Sequence, residues 1–119
     1  MTTNELKNIK CKIMNLTPHD LNMYKGDVVN EVIPPSGLAR AEEIGTLTEY
    51  RNGYPVRVKK YGNIHGLPEP KEGVMYVVSA IVAKAAKDEG RWEDIFVPDD
   101  SVRDEKNRII GARGFAHII

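Results

Sequence analysis

The sequence has a single cysteine, no long apolar run and no excess of charge of either sign. With only Cys11, a disulfide within the chain and a cysteine-rich zinc site are both excluded. No apolar run approaches the roughly 20 residues that cross a bilayer, and the first residues lack the apolar core of a signal peptide. Seventeen Lys and Arg balance seventeen Asp and Glu, so the molecule has no net field to attract nucleic acid. We therefore expect a cytoplasmic protein with neither a membrane nor a nucleic acid as its partner.

The sequence also lacks the common catalytic motifs. It has no Walker-type phosphate loop, no GxGxxG, no HExxH and no Gly-x-Ser-x-Gly elbow. The three histidines are too far apart in sequence for a local metal-ligand spacing. We expect no cofactor and no metal, and we consider an enzyme the less favoured class without excluding it.

The composition is that of an ordinary packed domain. The chain has 119 residues, of which 41% are hydrophobic and 29% charged, which is typical of globular proteins. This length is enough for one hydrophobic core and too short for two. We predict a single α+β domain over residues 11–119, preceded by a flexible or short N-terminal arm over residues 1–10. Cys11 is predicted to be buried in the core, because free cysteine is among the most commonly buried residue types.

Short apolar runs separated by turn residues predict a mostly antiparallel sheet or a partly open barrel. Asn52-Gly53 is the strongest hairpin signal, because both residues tolerate the left-handed conformation. A turn is also predicted at residues 99–101, and a long functional loop over Gly62 to Gly73. The predicted strands cover residues 11–16, 20–24, 28–33, 38–42, 46–50, 54–61, 74–78, 95–97, 102–103, 108–112 and 115–118.

Two of these segments carry a burial prediction. After the hairpin turn, Val56 and Val58 alternate with Arg57 and Lys59, which predicts inward valines and solvent-facing cations. The run of apolar residues over 74–78 is nearly continuous, which is typical of a central strand buried on both faces.

One helix is predicted, at about residues 79–89. Ser79 is a suitable N-cap, and Gly90 supplies a C-terminal stop. Between them, Ile81, Val82 and Ala85 are predicted to form the apolar stripe that faces the core.

Cationic side chains concentrate before the long loop and in the last third of the chain. Arginine matches phosphate geometry with two parallel hydrogen bonds, and a helix N-terminus favours an anion. Trp92 beside Arg91 offers a stacking surface for a base, or alternatively covers an edge of the core. Seven carboxylates share the last third, so surface ion pairing is the favoured alternative for its arginines. The predicted site for a small phosphate-containing ligand comprises His19, Arg57, Lys59, Tyr61, His65, Ser79, Arg91, Trp92, Arg103, Arg108 and Arg113.

Two other functions remain open from the residues. A metal-independent phosphodiesterase or related hydrolase would use His19 and His65 as acid and base, provided that both rings reach one bound phosphate. His19 is otherwise a turn residue that caps a strand. A protein-interaction module, such as an inhibitor of another protein or an accessory part of a virion, would use an exposed sheet edge and the long loop.

Several segments together resemble a known family. They are Asn15-Leu16-Thr17-Pro18-His19, residues 35–40, 61–62, 66–70 and 75–79, Val102-Arg103-Asp104 and Arg108-Ile109-Ile110-Gly111. This combination resembles a family of small uncharacterised proteins from bacteriophages, prophages and actinobacterial genomes, whose members begin with an Asn-Leu-Thr-Pro-His strand. The family brings no assigned activity, so no catalytic residue is carried over. The resemblance implies a phage setting, in which a homo-oligomeric, non-catalytic protein sequesters a nucleotide signal of host immunity, such as a cyclic nucleotide.

Overall fold

The computed structural model describes residues 6–119. Half of the predicted N-terminal arm, residues 1–5, lies outside the described residues; residues 6–10 are exposed and belong to no helix or strand. The elements that follow are β1 (Lys12–Asn15), β2 (Leu21–Lys25), β3 (Val28–Ile33), β4 (Arg40–Arg51), β5 (Tyr54–His65), β6 (Val74–Val77), α1 (Ala80–Asp88), β7 (Ile95–Arg103) and β8 (Ile109–Ala116). No helix in the described part of the chain is long and apolar enough to cross a membrane.

Six strands form one curled sheet in the order β1-β6-β7-β8-β2-β3, and β4 and β5 form a separate two-stranded ribbon. The antiparallel pairings β2–β3, β4–β5 and β7–β8 are the long ones. The parallel pairings are short, two of them joining β6 to its neighbours β1 and β7. The α+β prediction with a partly open barrel and one helix is therefore confirmed.

Helix α1 begins and ends as predicted. The Ser79 hydroxyl accepts a hydrogen bond from the Val82 backbone nitrogen at 3.3 Å, which satisfies one of the free donors of the first turn. The helix stops before Gly90, whose φ of +86° is one that side-chain-bearing residues rarely adopt. The predicted apolar stripe is wrong at one position, because Ile81 is exposed. The helix is instead buried through Val82, Ala83, Ala85 and Ala86.

Strand β6 is central and is buried on both faces, as predicted. Tyr76 and Val78 belong to the core cluster that includes the buried helix residues. Val77 lies between them in sequence and contributes to a second cluster, with Leu21 and Ile33. Because successive side chains of a strand point to opposite faces, β6 separates the two clusters.

The segment after β1 is held by a buried asparagine. The amide nitrogen of Asn15 donates to the carbonyl oxygens of His19 at 2.7 Å and Ile33 at 3.0 Å. Its side-chain oxygen accepts from the backbone nitrogen of Thr17 at 3.0 Å and from the Thr17 hydroxyl at 2.7 Å. One side chain thus joins the end of β1 to the entry of β2 and the end of β3.

Several boundaries predicted from the sequence are wrong. The segments 38–42 and 46–50 are parts of one strand, β4, and the predicted loop loses its first four residues to β5. The predicted turn at residues 99–101 lies inside β7, where Asp100 has a φ of 55° that interrupts the strand without ending it. Likewise, β8 continues from Ile109 to Ala116, so residues 115–118 are not a separate strand. Cys11 is exposed, so its predicted burial is also wrong.

Candidate functional site

The β4–β5 ribbon extends beyond the packed body of the molecule. Each of its strands has 12 residues, about twice the usual strand length. Near its root, Ala41 and Ile64 pack against the core cluster. Beyond them, every residue of 43–60 is exposed except the half-buried Val56. We call residues 43–60 the distal ribbon.

The turn at the tip of the ribbon follows the sequence prediction. Asn52 and Gly53 have φ values of 50° and 83°, the left-handed pair that a two-residue hairpin turn requires. On either side of them, Arg51 pairs with Tyr54, and Thr46 pairs with Val58. An irregularity between Leu47 and Glu49 adds one residue to β4, and such bulges increase the local twist.

One face of the distal ribbon carries an apolar strip, which we define as Ile44, Tyr54, Val56 and Val58. The three β5 residues alternate along one strand and so share a face, and Ile44 joins them through its pairing with Lys60. The valines and the cations do occupy opposite faces, as predicted. The predicted burial of Val58 is wrong, because 53% of this residue is exposed, as are 49% of Ile44 and 73% of Tyr54. The physical reason is that no other element of the described chain covers this face.

The opposite face of the distal ribbon is charged. The ammonium group of Lys59 lies 2.9 Å from the carboxylate of Glu43. This hydrogen bond and the attraction of the carboxylate raise the pKa of Lys59. Leu47 and Tyr50 are exposed on this face too, where they pair with Arg57 and Pro55. The strip face also carries an ion pair, between Arg51 and Glu49 at 2.9 Å. The two faces therefore differ in their aliphatic side chains, since Ile44, Val56 and Val58 lie on the strip face and Leu47 lies on the other.

A polar cluster lies at the root of the ribbon. The carboxylate of Glu42 accepts a hydrogen bond from the Asn63 side chain at 3.0 Å and contacts Nε2 of His65 at 2.8 Å. These hydrogen bonds, that from Asn63 first, hold the pKa of Glu42 below its ordinary value. Asn63 has a φ of 47°, and the strand pairing shifts register beside it. His65, one of the residues predicted from the sequence, thus contacts the Glu42 carboxylate across the two strands at the ribbon root.

The predicted arginines of the last third are dispersed, and each has protein partners. Arg108 contacts Asp104 at 2.8 Å, and Arg103 donates to a carbonyl oxygen of the same turn, that of Asn107 at 2.8 Å. Arg113 reaches the β2–β3 turn, where it donates to the Gly26 carbonyl at 2.8 Å. These contacts match the ion-pairing alternative that the neighbouring carboxylates suggested.

Arg91 is the most constrained of the predicted cations. It binds the carboxylate of Asp94 through Nε at 3.2 Å and Nη2 at 2.8 Å, and Nη2 also donates to the Pro68 carbonyl at 2.7 Å. Its guanidinium lies 5.6 Å from the ring centre of Tyr76, within cation–π range. Trp92 packs edge-on against His117, with 5.2 Å between ring centres. Arg91 thus joins the long loop to the segment before β7, and Trp92 packs on the residue that follows β8.

A shallow groove of about 610 Å³ lies beside these two residues. Of the predicted ligand residues, only Arg91 and Trp92 line it. Its other charged lining residues are mostly carboxylates, and they repel an anion. The full lining is Glu69, Pro70, Lys71, Glu72, Gly90, Arg91, Trp92, Glu93 and Asp94.

The remaining predicted residues lie in separate places. His19 is exposed in the turn after β1, where its carbonyl is bound by Asn15. Ser79 caps α1, while Arg57, Lys59 and Tyr61 lie along β5. In the described part of the chain, no group of three or more His, Cys, Asp or Glu side chains could hold a metal ion.

Compared with known proteins, the chain matches no family model, no curated protein and no solved structure. The family resemblance and the phosphate site therefore stay predictions. The structure adds the apolar strip, of which only Val56 and Val58 were predicted from the sequence to point inward. The signal was present as the alternation of Tyr54, Val56 and Val58, but alternation does not reveal what covers a face.

Proposed function

We propose that this chain is a non-catalytic protein-binding module whose contact surface is the distal ribbon. The observation that carries the proposal is the exposure of the apolar strip on an element that projects from the body. An isolated two-stranded ribbon is at best marginally stable in water. Contact with a partner would bury the apolar strip and stabilise the ribbon. Contacts within the described chain do neither.

The surroundings of the strip support binding through a face and not through the edge of β5. The free edge of β5 carries Arg57, Lys59 and Lys60 and contains Pro55, and charges and proline are the common means of blocking edge-to-edge pairing. An exposed apolar patch rimmed by polar residues is typical of a protein interaction site.

The phosphate-ligand hypothesis has weaker support from the geometry. Most of its cations have carboxylate or carbonyl partners, and the groove beside Arg91 and Trp92 is rich in carboxylates. The phage setting, in which such proteins inhibit or sequester, is compatible with a module that works by occupying a protein surface. Sequestration of a nucleotide signal remains a prediction from the resemblance.

Position-resolved photocrosslinking in producing cells tests the proposal. A benzophenone amino acid is placed at Val58 in one variant, at Leu47 on the opposite ribbon face in a second, and at Lys84 on the exposed side of α1 in a third. We expect a discrete crosslinked protein product at position 58 and much weaker products at 47 and 84. Equal products at all three positions, or none at position 58, would reject the ribbon as the contact surface.

A further inference from the structure

We propose that Asn52, at the tip of the distal ribbon, is a site of spontaneous modification, at which the side-chain amide is released as ammonia and aspartate and isoaspartate are formed. The reaction needs only water, and it is independent of what the ribbon binds. Its reacting groups are the side-chain amide carbon of Asn52 and the backbone nitrogen of Gly53. Both residues are exposed, so water and hydroxide reach them.

Three asparagines of the described chain share one backbone region, which allows a direct comparison. Asn52, Asn63 and Asn107 have φ values of 50°, 47° and 64°, and all three are exposed. Only Asn52 is followed by glycine. The other two precede a branched or a long side chain, which crowds the attacking nitrogen. At Gly53 the space is open, because even an added Cβ would meet no atom within 4 Å.

Hydrogen bonds restrain the reacting groups at the other two asparagines. The side-chain amide of Asn63 donates to the Glu42 carboxylate at 3.0 Å. The backbone nitrogen that follows Asn107, that of Arg108, donates to the Asp104 carboxylate at 2.9 Å. Such a bond must break before a ring can close, and breaking it adds to the barrier.

The reacting groups at the ribbon tip are free of such restraint. Within the described residues, neither the Asn52 side chain nor the backbone nitrogen of Gly53 has a hydrogen-bond partner. Ring closure requires the peptide plane between these two residues to turn. Glycine accepts most backbone conformations and therefore permits this turn. The structure thus leaves Asn52 the most reactive of the three positions.

The chemical step is intramolecular and uses no reactant other than water. The Gly53 nitrogen loses its proton to hydroxide and bonds to the side-chain amide carbon of Asn52, which closes a five-membered succinimide ring and releases Nδ2 as ammonia. Water then opens the ring at one of its two carbonyl carbons. Breaking the bond from the Gly53 nitrogen to the side-chain carbon leaves aspartate. Breaking its bond to the main-chain carbon leaves isoaspartate, in which the main chain runs through the former side chain.

The two products change the ribbon tip differently. Each adds a carboxylate beside Arg51. An aspartate followed by glycine also suits a two-residue hairpin turn, so the pairing of Arg51 with Tyr54 is retained. Isoaspartate adds one carbon to the main chain, and the register of a hairpin is set by its turn. The strand pairing next to the turn is therefore lost in that product.

Peptide mapping by mass spectrometry, on the full chain incubated at about pH 8, tests the proposal. A synthetic peptide of residues 49–56 is incubated beside it as an unfolded reference. We expect Asn52 to convert to both products within about tenfold of the rate in the peptide, and Asn63 and Asn107 to convert at least about tenfold more slowly than Asn52. The rate at Asn52 should rise at least about tenfold from about pH 6 to about pH 8, because the attacking nitrogen must lose its proton. An Asn52 that stays intact while the peptide converts would overturn the proposal, since the folded turn would then protect it.

Two variants separate the contribution of the structure from that of the sequence. Arg108→Gly creates a second Asn-Gly pair, in which the backbone nitrogen keeps Asp104 as its partner, and we expect Asn107 there to convert at least about tenfold more slowly than Asn52. Asn52→Gly keeps a dipeptide that hairpin turns accept and removes the amide, so the tip should give no product. Both positions are exposed, so folding is retained. Equal conversion of the two Asn-Gly pairs would overturn the role of the free nitrogen, and product at the tip of the Asn52→Gly chain would overturn the assignment to this residue.

Discussion

At the scale of residues, the first of the segments that carry the family resemblance, Asn15-Leu16-Thr17-Pro18-His19, has a structural role. Asn15 is fully buried, and its amide uses both its donor and its acceptor capacity on backbone and hydroxyl groups. Thr17 is buried beside it, and its hydroxyl, which donates to the Asn15 side-chain oxygen, accepts from the His19 backbone nitrogen at 3.4 Å. Buried polar groups are costly unless all of them are satisfied, so such a network permits few alternatives. The choice of residues at positions 15 and 17 is therefore limited by these buried hydrogen bonds, independently of what the protein binds.

Replacing Asn15 should reveal this constraint. Asn15→Ala leaves the carbonyls of His19 and Ile33 without their side-chain donor, and each unsatisfied buried group costs roughly 1–3 kcal/mol. We expect a loss of about 2–5 kcal/mol in the free energy of unfolding, measured by urea denaturation. His19→Ala keeps the carbonyl and removes only an exposed ring, so it should change stability by less than about 0.5 kcal/mol. Equal losses from the two substitutions would contradict this account.

The sequence identified this segment but not the roles within it. His19 was singled out because imidazole is the side chain most often used in acid–base chemistry. Its contribution to the fold comes from its carbonyl, which any residue provides. The importance of Asn15 depends on Ile33, which is 18 residues away, and such non-local partners leave no local pattern in a sequence.

At the scale of elements, the hairpin turn and the two ends of the helix were predicted correctly from the residues at those positions. Asn52-Gly53 forces the hairpin turn, and Ser79 with Gly90 bounds the helix, because these residues act on the backbone next to them. The lengths of β4 and β7 were underestimated, because β4 runs unbroken through Gly45 and β7 through Asp99 and Asp100, although these residue types are common in turns. Burial of Val58 was predicted from alternation alone, and burial depends on a neighbouring layer that the described chain lacks.

The root of the ribbon should respond to acid through Glu42. Hydrogen bonds from Asn63 and His65 lower its pKa in the folded protein below the ordinary value of 4.5. A carboxylate with a lowered folded pKa contributes stability above its unfolded pKa and loses that contribution as the pH falls through the folded one. We therefore expect the ribbon-root contacts to be intact at neutral pH and to weaken below about pH 4.5.

A carbon-13 NMR titration of the Glu42 carboxyl measures this effect. Asn63→Gly removes the main hydrogen bond and tolerates the φ of 47° at this position, so the Glu42 pKa should rise toward its ordinary value. Asn30→Gly, on β3, should leave it unchanged. A Glu42 pKa that is the same with and without the Asn63 side chain would show that the cluster does not form in solution.

At the scale of the whole molecule, the protein is elongated, and the ribbon is the element that extends beyond the packed body. The Cα radius of gyration is 17.2 Å, with extents of 55 × 39 × 33 Å, whereas a compact domain of this length is expected near 13.5 Å. Length and composition predicted one domain and gave no indication of an extended one, because an exposed apolar strip has the same composition as a buried one. An extended domain differs from a compact one in which residues contact each other. In the distal ribbon, the contacts are between the two neighbouring strands.

Small-angle scattering, extrapolated to infinite dilution, should detect the extended ribbon. We expect a radius of gyration well above that of a compact domain of about 13.5 Å, because the root is fixed by Ala41 and Ile64 in the core. The matched control replaces residues 47–57 with Asn-Gly, which joins the paired residues Thr46 and Val58 by the same type of turn. This shortened chain should scatter as a compact domain and unfold at nearly the same temperature, since the removed residues bury little. If the full-length chain were as compact as the shortened one, the ribbon would have to fold onto the body, and the strip would be covered by its own chain.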